Sequence, residues 1–182
     1  EIYMNCELKK TELNFLARRS IRSYTSKEIE EDKLNKILKA ALVSPTGKNL
    51  KPFELVVIKD KEMLVKLSES KDSGSNMLKE ANMAIVVLGN PEISDLWSDD
   101  SSIVSFAIQL KAFDLGIGSC WVNLKGRESK YGISSEEYVK NILNIPKKMR
   151  ISCIISLGYP NEVKDEYKED EIDLSKVHYG KY

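Results

Sequence analysis

Arg18, Arg19 and Arg22 stand close together, with the hydroxyls of Ser20 and Ser23 among them and Tyr24 just beyond. A guanidinium is a planar fork of N–H donors, and a phosphate or carboxylate accepts from it in two parallel hydrogen bonds. The stretch follows residues 11–17, in which Leu13, Leu16 and Ala17 are spaced for one helical face. Arginine at a helix end suits the negative end of the macrodipole. Past that end an extended chain sends alternate side chains the same way. Arg18, Ser20 and Arg22 would then face one anionic ligand. The same residues also read as a solvated basic turn, and the rest of the chain has to decide between the two.

The other reactive side chains exclude more than they offer. The cysteines are Cys6, Cys120 and Cys153, and His178 is the single histidine. Without a Cys-x-x-Cys pair there is neither a disulfide framework nor a zinc site, and one histidine rules out a multi-histidine metal centre. Cys153 lies in an apolar run and reads as core. Cys120 with the distant His178 makes a weak nucleophile pair. Lys plus Arg and Asp plus Glu are both 28, for a net charge of zero, so nothing draws the whole chain to nucleic acid or anionic lipid. No apolar run nears the ~20 residues of a membrane span, and no signal peptide is visible. A reducing, cytoplasmic setting is expected.

The 182 residues suit one domain. Leu34, Ile37, Leu38, Ala41 and Leu42 predict a helix over residues 26–44, stopped by Pro45. A polar loop between Pro45 and Pro52 feeds a strand at residues 53–58. Asp60 is placed to cap a short helix. Residues 83–88 are apolar without a break, as in a strand buried on both faces. Residues 90–100 lack periodicity and would suit a mobile lid. Residues 102–115 predict a helix that is apolar nearly all round, which belongs at the centre of a protein or in a large interface. Gly116 is its expected C-terminal stop. A strand over 118–123, a helix capped by Ser134 with Glu137, and a strand over 151–157 follow. The tail, 161–182, is charged, lacks periodicity and ends in aromatics. Helices and strands without strict βαβ alternation predict an α+β fold, a sheet between layers of helices.

Gly116 and Gly118 follow a helix and precede a strand, the wrong order for a dinucleotide-binding turn, and no Walker loop, Gly-x-Ser-x-Gly or His-Glu-x-x-His is present. What remains is Arg18-Arg19-Ser20-Ile21-Arg22-Ser23-Tyr24, then Ser44-Pro45-Thr46-Gly47-Lys48-Asn49 with Pro52-Phe53, then Leu115-Gly116-Ile117-Gly118-Ser119-Cys120-Trp121, then Val177-His178-Tyr179-Gly180-Lys181-Tyr182. In that order these segments resemble the nitroreductase family of flavoproteins, over nearly the whole chain.

The resemblance implies a nitroreductase-like fold with a mainly antiparallel central sheet, an intertwined homodimer, and FMN held at its interface. It implies that Arg18, Arg19, Ser20 and Arg22 hold the phosphate, the ribityl chain and the N1–C2 carbonyl edge. Pro45, Thr46, Gly47 and Asn49 would reach the flavin of the partner subunit. Trp121, Val122 and Asn123 would line the ring, and Asn76 matches a family asparagine beside it. The whole of 1–182 would be one domain, with 161–182 an arm wrapping the partner. The implied reaction passes hydride from NADH or NADPH through flavin N5 to a nitroaromatic, a quinone or a similar small acceptor, with no catalytic side chain, no metal, no nucleic acid and no membrane. A non-catalytic flavin-binding or storage protein is the alternative, and a phosphate-binding module without flavin a third. The chain departs from the family in Lys51, Phe53 and an acidic tail, where Lys168 is the nearest basic residue to a second phosphate anchor.

Overall fold

In the computed structural model, which describes residues 14–182, the sheet is built outward from β2 (Met83–Gly89), a strand buried along its whole length. Met83, Ile85 and Val87 enter one core; Ala84, Val86 and Leu88 enter the other. A strand covered on both faces has no polar stripe, which accounts for its unbroken apolar sequence. β1 (Phe53–Ile58) and β4 (Arg150–Gly158) flank it, and β3 (Gly118–Asn123) pairs with β4. The order is β1-β2-β4-β3 and every pairing is antiparallel. β1 and β3 are therefore opposite edges.

Helices cover both faces, as the α+β expectation required. α1 (Glu31–Leu42) brings Leu34, Ile37 and Ala41, and α3 (Trp97–Asp114) brings Val104, Ile108 and Ala112, to the Met83–Ile85–Val87 side. α2 (Lys61–Ser68) brings Leu64 and Leu67, and α4 (Ser135–Leu143) brings Tyr138 and Val139, to the other. The caps are as expected: Asp60 accepts from the Met63 N–H at 2.8 Å, and Ser134 from the Glu137 N–H at 3.1 Å. Gly116, with φ +76°, stops α3.

Helix starts differ from the periodicity. α1 begins at Glu31, not at residue 26, because tertiary pairing keeps the preceding chain extended. The Thr25 N–H donates to the Tyr159 carbonyl at 2.8 Å, and Lys27 and Lys33 sit over the Tyr159 ring. α3 begins at Trp97, five residues before the apolar pattern, because its first turns bury Asp100 and Ser101, which no apolar pattern marks. Residues 90–96 form turns tied to the sheet, with the Asn90 N–H donating to the Pro52 carbonyl at 2.7 Å. Of the expected first helix, 11–13 lie outside the described residues and 15–17 form a turn. Beyond Gly158 the tail holds only short 3₁₀ turns at Glu169–Glu171 and Leu174–Lys176. On the outer face of α3, Ile103 and Phe106 stay 45% and 42% exposed.

Candidate functional site

The site is built where the arginine-rich stretch meets the β3 edge. Ser20 bridges Ser119 in parallel, and the Ile21 N–H donates to the Ser119 carbonyl at 3.0 Å. Two glycines permit this docking. A Cβ on Gly118 would lie 2.9 Å from Ile21 Cβ, and one on Gly158 would lie 2.7 Å from Tyr24 Cδ1. The buried Tyr24 hydroxyl donates to the Ile21 carbonyl at 2.6 Å and meets Ser156 Oγ at 2.7 Å. Burial raises the pKa of that hydroxyl well above the usual phenol range, so it stays a donor.

Past Ser119 no described segment pairs with the outer edge of β3. The Ser119 carbonyl points outward, so by strand alternation the main chains of Trp121 and Asn123 point outward too. Arg22 and Lys71 lie close enough to Cys120 for their charges to favour its thiolate, while Glu162 opposes them. Burial still wins and pushes the Cys120 pKa up, so the cysteine is a poor nucleophile. Lys71 is held below the usual lysine range, first by burial and then by Arg127. Its loop is stapled to the one bearing Arg127: the Asp72 N–H donates to the Glu128 carbonyl at 3.2 Å, and the Lys130 N–H to the Glu69 carbonyl at 3.1 Å. Lys71 and Arg127 were not picked out from the sequence. Single basic residues in polar loops carry no pattern, and only the loop pairing brings them together.

The arginines diverge. The Arg22 backbone is held by Glu162, which accepts from the Arg22 N–H at 2.5 Å and the Ser23 N–H at 3.2 Å. A hydrogen bond from Lys164 and these N–H groups hold the Glu162 carboxyl below its ordinary range. Arg19 instead donates to the Asp165 carbonyl and lies 4.5 Å from the Tyr167 ring centroid. Arg18 and Arg19 both line a cavity of about 260 Å³ with Phe113, Ser119 and Lys164. The acidic tail thus docks on its own chain as far as Tyr167, whose N–H donates to the Leu16 carbonyl at 3.0 Å.

Of the β3 residues, Val122 is fully buried and by the same alternation its main chain faces β4, so it offers a ligand neither side chain nor backbone. Trp121 and Asn123 sit on the opposite side of the strand and line a cavity of about 350 Å³. Asn76 is exposed at the start of a 3₁₀ turn, Asn76–Lys79. His178 is exposed in the tail against Tyr182, away from any thiol contact with the buried Cys120.

Pro45, Thr46, Gly47 and Asn49 are not brought to this edge. Their loop precedes β1, three strand spacings or roughly 14 Å across the sheet. Lys48, Asn49 and Lys51 have φ of 51°, 56° and 47°, a left-handed stretch that must be held in place. The buried Asp100 holds it, with Oδ1 accepting from the Gly47 N–H at 2.9 Å. The other carboxylate oxygen, Oδ2, is buried without a partner.

The sequence profile described as the nitroreductase family matches residues 16–159. A protein of Archaeoglobus fulgidus named "Putative NADH dehydrogenase/NAD(P)H nitroreductase" is 37% identical over 170 residues, covering 91% of this chain and 94% of its own length. Among solved structures, an FMN-dependent nitroreductase from Clostridium difficile R20291 is 42% identical and superposes with a TM-score of 0.90, covering 92% of this chain and 97% of that one. A structure named "Putative NADH Oxidase" from Clostridium acetobutylicum is 32% identical with a TM-score of 0.82, covering 91% and 98%.

Proposed function

The chain belongs to the nitroreductase family, and we propose that it is an FMN-dependent NAD(P)H oxidoreductase whose cofactor lies along the open β3 edge. The observation that carries this is the docking of the arginine-rich stretch on β3, with Ser20 bridging Ser119 and the Ile21 N–H on the Ser119 carbonyl, beside outward-facing main chain that no described segment pairs. That donor set fits a ligand with a phosphate and an edge that becomes anionic on reduction. Arg22 and Lys71 would face the carbonyl edge, where a cation favours the reduced form. Ser20 and Arg18 are left for the phosphate side, with Arg19 engaged by the tail. The Trp121 and Asn123 main chain would meet the ring edge. Bound FMN supplies the transfer of hydride from NADH or NADPH to a nitroaromatic, quinone or similar acceptor. The chain's part is to hold it, exclude water from one face and set the charge around it.

A homodimer is part of the proposal. Leu42, Val43, Leu96, Ile103 and Phe106 leave apolar surface exposed, more than a lone subunit has reason to show. The Pro45, Thr46, Gly47 and Asn49 loop lies far from its own β3 edge and would complete the site of the second subunit. Past Tyr167 the tail carries exposed Leu174, Val177, Tyr179 and Tyr182, suited to wrap that subunit. The setting proposed is cytoplasmic, in keeping with buried, unpaired Cys120 and Cys153; no helix among the described residues is long and apolar enough to cross a membrane.

The test is a flavin absorbance spectrum on the purified protein, followed by anaerobic addition of NADH or NADPH. Bleaching of the flavin band is expected. A protein that cannot take up FMN sinks the reading, and one that binds FMN without bleaching is a storage protein.

A further inference from the structure

The arginine-rich stretch is gripped from two sides. On one, the Ile21 N–H donates to the Ser119 carbonyl of β3 at 3.0 Å. On the other, the chain leaving β4 runs antiparallel to it. The Thr25 N–H donates to the Tyr159 carbonyl at 2.8 Å, the Asn161 N–H donates to the Ser23 carbonyl at 2.9 Å, and Tyr24 bridges Pro160. In that register residue 162 falls opposite residue 22. The Glu162 side chain then takes two successive N–H groups on one oxygen, Oε1 accepting from Arg22 at 2.5 Å and from Ser23 at 3.2 Å. Its Oε2 lies 2.8 Å from Lys164 Nζ. Lys164 and the two N–H groups hold the carboxyl ionised, below the ordinary carboxylate range. Bonds from N–H to an ionised oxygen are stronger than neutral ones.

Arg22 is exposed and forms no ion pair among the described residues. With no side-chain partner to aim it, its direction follows its main chain, whose N–H Glu162 holds. The two charges also reach the same place, since Arg22 favours the Cys120 thiolate and Glu162 opposes it. We propose that Glu162 is a positioning residue for the cofactor: it fixes the main chain that carries the Arg22 guanidinium, and its charge offsets part of that cation's pull toward reduced flavin. This rests on the FMN reading above and assigns a carboxylate to a site otherwise described by its cations. A cation beside the carbonyl edge favours the reduced form. A carboxylate that acts on the same point tempers that preference while keeping the cation in place.

The test is FMN titration of the full-length apo-protein in four variants: Glu162→Ala, Glu162→Gln, Arg22→Ala, and Arg22→Ala with Glu162→Ala. Glu162→Ala should weaken FMN binding about tenfold or more, the worth of a charge-assisted hydrogen bond. In the Arg22→Ala background the same change should cost less than about threefold, because its effect runs through Arg22. Glu162→Gln keeps an acceptor oxygen for both N–H groups and should bind oxidised FMN within about threefold of wild type. Its flavin midpoint potential should rise, with the reduced form favoured about threefold further, the worth of one partly exposed charge. Amide hydrogen exchange on the apo-proteins reads the main chain without cofactor: Arg22 and Ser23 should exchange faster in Glu162→Ala and near the wild-type rate in Glu162→Gln. Unchanged FMN affinity in Glu162→Ala, an equal loss in both backgrounds, or a Gln variant as weak as the Ala variant overturns the positioning role. A Gln variant with the wild-type potential overturns the charge role, and this measurement decides should the Ala variant fail to fold. A wild type that takes up no FMN sinks the oxidoreductase reading instead; the exchange rates then decide alone whether Glu162 fixes the Arg22 main chain.

Discussion

Replacing Tyr24 by Phe isolates the bond that holds the arginine-rich stretch to the sheet. The ring stays buried, so the apolar contribution is kept. What is lost is the 2.6 Å bond from the hydroxyl to the Ile21 carbonyl and the 2.7 Å contact to Ser156 Oγ. Ser156 retains an acceptor in the Cys120 carbonyl at 3.3 Å, so it is not orphaned. The Ile21 carbonyl loses its donor in a buried setting, which costs about 1–3 kcal/mol. For a domain of this size each kcal/mol moves Tm by roughly 2–4 °C. Urea unfolding at fixed protein concentration gives the cost, and FMN titration reads the coupling, since Ser20 and Arg22 flank the released carbonyl. FMN affinity should fall with stability. Ser156→Ala leaves the carbonyl bonded and should cost less. The pH dependence has a definite sign. The folded Tyr24 pKa is raised by burial, so above an unfolded value of about 10 the unfolded state loses its proton first. The stability that Tyr24 contributes is therefore complete below that pH and declines as pH rises past it. The Phe variant lacks this decline, and the gap between the two proteins should narrow. An unchanged urea midpoint together with unchanged FMN affinity would refute the argument.

Arg22→Ala removes a charge-assisted contact of about 1.5–3 kcal/mol and should weaken FMN binding roughly 10- to 150-fold in an apo-protein titration. Asp100→Ala frees the Gly47 N–H and should loosen the left-handed loop and lower FMN affinity. Asp100→Asn keeps the acceptor, removes a buried charge with an unpartnered oxygen, and should match wild type in affinity; equal affinity for the Ala variant would detach the loop from the cofactor. Truncation after Tyr167 keeps the contacts to Leu16, Arg19, Arg22 and Ser23, and should weaken the dimer by light scattering and release flavin with the subunit fold intact by circular dichroism. Truncation after Asn161 also frees the Arg22 backbone and should cost stability as well. Cys120→Ser should keep most NAD(P)H oxidation, and a loss beyond about a hundredfold with flavin still bound would make the thiol a participant.

Much of this protein is local and was therefore legible. Period-3.6 and unbroken apolar runs located α1, α3 and β2 because burial acts on each residue of a face separately. The caps Asp60, Ser134 and Gly116 worked within a turn of themselves. The family, too, was readable from ordered segments of sequence. The tertiary structure decided what depends on distant chain meeting. It cut α1 back to Glu31 by pairing Thr25 with Tyr159, and extended α3 to Trp97 around a buried Asp100. It separated Arg19 from Arg22 by docking the tail, and it joined Lys71 to Arg127 through two loops with no pattern in common. It also placed the Pro45 and Asn49 loop at the edge opposite Trp121, a separation set by strand order. Side-chain type and spacing fix which groups a segment can offer. Which of them share a site depends on long-range pairings, whose partners are far apart along the chain and leave no local mark.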